Sequence, residues 1–168
     1  MEKDDTNKNA TNLAKSIAAY ITKLEASHAP FDDFVSGNKN AISSSAQRGL
    51  KYFITEGGCL RCHFSPWFSD GAFHSVGIAP LDGGPLRDSG RAGAIEKLMA
   101  SQFTASGKHS DDPDGTRAII SKHIAKRAED WGSFRTPSLR NVAKTAPFMH
   151  AGQLATLEDV LKHYSTLE

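Results

Sequence analysis

Five consecutive residues, Cys59-Leu60-Arg61-Cys62-His63, limit what this chain can be more than any other feature. They hold the only two cysteines in 168 residues and set a histidine directly after the second. A disulfide between them would close a loop of two residues and restrain almost nothing. Structural zinc takes about four protein ligands, and no second Cys/His pair at finger-like spacing follows. A thioredoxin-like pair belongs behind a strand in a β-α-β frame, and neither is legible. C-x-x-C-H is, however, the attachment pattern of a c-type haem. Two thiols about one helical turn apart reach the two vinyl groups as thioethers, and His63 is carried beneath the iron as proximal ligand. One covalent haem c is therefore the expected cofactor. It also accounts for a chain rich in irregular loops, because the porphyrin supplies apolar surface that side chains would otherwise have to build.

Twenty basic residues against nineteen acidic ones leave a formal charge of +1 without a dense basic run, which argues against a nucleic-acid partner. No apolar run approaches the roughly 18 residues of a membrane span. The opening "MEKDDTNKNATN" lacks the basic-then-apolar form of a signal peptide, so an export signal is expected outside the chain as given. The expected organisation is a flexible segment over 1–11 and one domain over 12–168. Leu13, Ile17, Tyr20, Ile21 and Leu24 recur at helical spacing and end before Pro30. "SSSAQRGLKYFITEGG" reads as a capped helix with a two-glycine stop that delivers Cys59. Residues 64–91 show no alternation long enough for a strand. Helical spacing returns at Ile95, Leu98, Met99 and Phe103, then at Ile119, Ile120, His123 and Ile124. Thr136 and Pro137 read as a helix start, and Thr156 caps a last helix with Asp159 three residues on. The fold class is all-α.

The iron's sixth position has several claimants. His109 in a charged loop and His163, about 100° off the apolar stripe of its helix, read as solvated. His123 on an apolar helix face reads as a core histidine bonded to a carbonyl, and Met99 as core. His74 and His150, in glycine-flanked loops, suit a haem propionate or backbone partner. Tyr164 stands on the buried stripe of the last helix, either as iron ligand or as a phenol bonded to a carbonyl. Met149 in "APFMHAG" is the alternative ligand. Arg135 and Arg140 flank "TPSL", and the arginine fork suits propionates. Phe73 is placed with the cofactor-binding residues.

"CLRCHFSPWFSDGAFHSVG" and "FRTPSLRNVAKTAPFMHAGQLATLEDVLKHY" resemble the second haem domain of bacterial di-haem cytochrome c peroxidases and their MauG relatives, and the likeness extends into "YITKLEASHAPFDDFVSG" and "SSSAQRGLKYF". The resemblance implies a c-type cytochrome fold with long ordered loops around one haem. It implies Tyr164 as distal ligand, because counting on from His150 reaches the position held by methionine in the peroxidases and tyrosine in MauG. It implies Arg135 near the haem carboxylates. The family's interface calcium would use carbonyls of Thr145 and Pro147 plus an asparagine from a first haem domain that this chain lacks, so that set is incomplete here. The peroxide-binding haem belongs to the same missing domain.

The function expected from this is one-electron transfer by a mono-haem module, with a small cytochrome, a cupredoxin or a second haem domain as redox partner. Attachment of c-haem outside the cytoplasm implies a periplasmic or other extracytoplasmic location. The rival is a haem peroxidase, which needs Tyr164 off the iron and His74, His123 or His150 as distal base. Whether the chain is an enzyme stays open at this stage. A thioether ligand raises the iron potential, and a phenolate lowers it.

Overall fold

The computed structural model describes residues 2–25, 28–85 and 87–167. The chain forms two compact units, Met1–Arg48 and Gly49–Glu168. The first contains α1 (Glu2–Ile21) and α2 (Pro30–Val35), and α3 (Ser44–Ile54) straddles the boundary in sequence. α1 takes in the stretch that the sequence reading left as a flexible tail. Once a helix is nucleated each added residue costs little. α2 starts at a proline that needs no N–H partner there, and Asp32 Oδ2 accepts the Ala29 N–H at 2.8 Å.

The second unit contains α4 (Arg91–Ala100), α5 (Thr116–Lys122) and α6 (Leu157–Ser165), joined by long loops with 3-10 turns at Cys59–Arg61, Ala128–Asp130 and Val142–Lys144. The mostly helical class expected from periodicity is the one observed. One addition is a two-stranded antiparallel sheet, β1 (Phe73–His74) and β2 (Phe134–Arg135), with Phe73 opposite Arg135 and His74 opposite Phe134. Strands of two residues are too short to leave an alternating pattern in a sequence. The ladder also overrides the helix start read at Thr136, which is buried and donates its N–H to the Ala72 carbonyl at 2.9 Å.

Burial centres on small and polar groups. Ala118 is wholly covered, Ala92 and Ile95 of α4 are buried, and Asp130, Ser133 and Thr136 are buried beside them. Among the described residues no large side chain is fully buried, and Met99, read as core, is exposed. Asp130 organises the polar cluster. Its carboxylate takes Arg91 Nε at 2.7 Å and the Arg127 N–H at 2.7 Å, and Ser133 Oγ donates to its carbonyl at 3.0 Å. α4 docks there because Gly90 has φ +59 and lets the Arg91 N–H reach the Ser133 carbonyl at 2.9 Å. A Cβ on Gly90 would lie 2.4 Å from that carbonyl oxygen. Gly90→Ala is therefore expected to destabilise the fold by ~2–4 kcal/mol, read as a lower denaturant midpoint at unchanged m-value.

Candidate functional site

α3 leads into the five-residue motif through two glycines. A Cβ on Gly57 would meet the Tyr52 ring at 2.8 Å, and Gly58 adopts φ +63. The chain then coils so tightly that the Cys59 carbonyl accepts both the Cys62 N–H, at 3.3 Å, and the His63 N–H, at 2.9 Å. This sets both thiols half-buried and unbridged within one turn. Burial pushes the Cys62 thiol up, the Asp70 carboxylate adds to the rise, and Arg61 opposes it. A neutral thioether suits such a place better than a thiolate.

His63 is oriented by the next loop. Its Nδ1 lies 2.8 Å from the Phe68 carbonyl oxygen, which can only accept, so Nδ1 carries the proton and Nε2 keeps its lone pair. That is the tautomer a metal-ligating histidine needs. Two thiols in one turn and an imidazole with a free Nε2 fit a c-type haem.

Tyr164 lies on α6, whose first turn is capped by Thr156 Oγ1 accepting the Asp159 N–H at 3.1 Å, as the sequence predicted. Tyr164, read as lying on a buried stripe, is instead 44% exposed, because α6 buries none of its residues fully. The phenol's pKa is raised, by desolvation first and then by the charges of the Cys62 and Cys59 thiols. His163, read as solvated, instead anchors α6 by donating from Nε2 to the Val76 carbonyl at 2.7 Å, and it meets the Tyr164 ring edge-on. Met149 is half-buried at φ +69 in a loop closed by the Phe148–Leu154 backbone pair.

The remaining candidates separate. His74 Nε2 pairs with Asp70 Oδ2 at 2.7 Å, while His150 pairs with Asp88 at 2.9 Å and stacks on Phe134. His123 is the exposed C-terminal cap of α5, not a core residue. The apolar face read for it is cut short because α5 ends at Lys122. His74 and His123 both line a cavity of about 810 Å³ that Phe73, Arg91, Asp130 and Trp131 also border. Phe73 carries the Arg91 guanidinium over its ring at 4.5 Å, and Arg135 stands exposed opposite it in the ladder. His109 stacks on Phe103 at 4.8 Å, so it too differs from the solvated reading. Thr145 and Pro147 sit on an exposed turn, and two carbonyls fall short of the about six to eight oxygens that calcium takes.

Sequence reasoning missed Asp70. The only signal available was its position four residues before His74. Donor atoms of Cys62, Asp70 and His74 lie within 4.8 Å of one another. The bond to His74 is the main reason Asp70 titrates at about 2 rather than near 3.8. A lowered folded pKa adds stability that is present above the unfolded value and lost as pH falls through the folded one. The stability difference between wild type and Asp70→Asn, followed by chemical denaturation, is thus expected to be constant above pH ~5 and to shrink between about pH 4 and 2.

No family model matches the chain. The chain is 34% identical over 161 residues to the cytochrome-c peroxidase IdrP2 of Pseudomonas sp. (strain SCT), covering 94% of this chain and 41% of that one. It is 31% identical over 156 residues to the methylamine utilization protein MauG of Methylophilus methylotrophus, covering 92% and 36%. A crystal structure of a MauG-like protein associated with microbial copper homeostasis superposes with a TM-score of 0.51 at 28% identity, covering 80% of this chain and 36% of that one. The chain thus spans about two fifths of the curated relatives it matches. Over more than nine tenths of its length the chain is thus similar to bacterial cytochrome-c peroxidases and MauG proteins, of which it matches about two fifths.

Proposed function

We propose that this chain is a mono-haem c-type cytochrome module that relays single electrons. The observation that carries the reading is the His63 Nδ1 to Phe68 carbonyl bond within a turn that also presents both thiols. Cys59 and Cys62 would hold one haem c covalently, with His63 as its proximal and Tyr164 as its distal ligand. A haem held there supplies a one-electron couple at its iron. The chain's own residues do the rest. Phe68 keeps the His63 proton on Nδ1, and His163 holds the helix that carries Tyr164. Phe73 would pack against the porphyrin and Arg135 would meet a propionate. Ligation would require Tyr164 to give up its phenolic proton, against a pKa that burial has raised, so it would be favoured by rising pH. The partner is a redox protein: a small cytochrome, a cupredoxin or a second haem domain. No helix among the described residues is long and apolar enough to cross a membrane. The site of action is extracytoplasmic, where c-type haem is attached.

A second reading, hydrogen peroxide reduction, is favoured by one observation: His74, held by Asp70, and His123 share the cavity. Steady-state peroxide turnover with a reduced cytochrome donor separates the two. The relay reading expects turnover at least about 100-fold below that of intact di-haem relatives, the span that a missing acid–base group alone commands, and unchanged in His74→Ala. Turnover at the relatives' level, abolished in His74→Ala, would establish the enzyme reading in its place.

A further inference from the structure

Three consecutive carbonyls in the loop after His63 are each taken by a different side chain. Arg140 Nε donates to the Pro66 oxygen at 2.9 Å, Ser138 Oγ donates to the Trp67 oxygen at 2.6 Å, and His63 Nδ1 donates to the Phe68 oxygen at 2.8 Å. The first two donors come from "TPSLR", some seventy positions away in sequence. The Arg140 guanidinium also sits 5.6 Å from the centre of the Phe68 ring, and Ser69 Oγ donates back to the Thr136 carbonyl at 2.8 Å. The loop needs such support. Ser65 and Phe68 both adopt left-handed φ, at +70 and +52, which costs about 1–3 kcal/mol for each non-glycine residue and persists only where surrounding contacts impose it.

We propose that Arg140 and Ser138 are positioning residues for the proximal ligand: by fixing the 66–67 peptides they aim the Phe68 carbonyl at His63 and so set how strongly that imidazole donates to a haem iron. The inference rests on the haem reading above. A histidine whose second nitrogen donates to a well-placed carbonyl is a more basic ligand, and a more basic ligand stabilises ferric iron. Arg140 thus acts through a backbone carbonyl, while the propionate role stays with Arg135.

The test uses exported haem-loaded protein carrying Arg140→Ala, Arg140→Lys or Ser138→Ala. Two readouts are followed: solvent exchange of the His63 Nδ1 proton by NMR, and the midpoint potential. Arg140→Ala is expected to speed that exchange by about tenfold or more, the factor that loss of one ordinary hydrogen bond gives, and to raise the potential. Arg140→Lys, which keeps a donor for the Pro66 carbonyl, should return both part of the way. Ser138→Ala should shift both in the same direction by less, and it carries the test if Arg140→Ala does not fold. Variants that melt earlier but exchange and titrate like wild type would overturn the proposal and leave the pair as a brace. A wild-type protein without a Soret band would overturn the haem reading, and the inference with it.

Discussion

Exported protein with both Cys59 and Cys62 replaced by serine is expected to carry no covalent haem and to lose on the order of 5 kcal/mol of stability. The first part follows from supply, since no other thiol exists in the chain. The second follows from burial. Among the described residues only Ala92, Ile95 and Ala118 make up the buried apolar set, and no large side chain is fully covered. A porphyrin that removes about 200 Å² of apolar surface from water is worth roughly 5 kcal/mol at 25 cal/mol/Å², comparable to the whole stability of a small domain. Intact-mass spectrometry should show one haem on wild type and none on the double variant, with a matching loss in the denaturant midpoint. A wild-type haem that acid acetone extracts would contradict the thioether assignment.

Tyr164→Phe is expected to convert a six-coordinate ferric spectrum to a five-coordinate high-spin one. It should also raise the midpoint potential by on the order of 100 mV, given that axial-ligand identity tunes haem potentials over about 0.8 V. The direction comes from charge: a phenolate favours ferric iron, and phenylalanine supplies no donor. The geometry behind the expectation is the anchoring of its neighbour His163 on the Val76 carbonyl at 2.7 Å. The control is Met149→Ala. If that variant changes spectrum and potential while Tyr164→Phe matches wild type, methionine is the ligand and the tyrosine serves packing alone. Opening the sixth position should also raise peroxide turnover in Tyr164→Phe, which links this experiment to the enzyme reading.

How much of this was legible beforehand depended on the range of the interaction. The proposed cofactor, its two thioether positions and its proximal ligand were read from Cys59, Cys62 and His63 alone, because that chemistry needs those groups within one turn. α3, α4 and α6 follow from apolar spacing and, for α6, from the Thr156 cap, all of them effects that act within a few residues. The loop after His63 is different. Its hydrogen bonds run to Thr136, Ser138 and Arg140, and irregular backbone carries no period from which to read such partners. The same long-range pairing turned Thr136 from a helix start into a partner of Ala72 and gave Arg140 a carbonyl to hold. It also brought Asp70 within reach of Cys62 as well as His74. The sequence by itself determined the ligand chemistry, since that is local. Only the tertiary structure decided what orients the ligand, because backbone carbonyls are alike in every residue and gain individual roles only from where the fold places them.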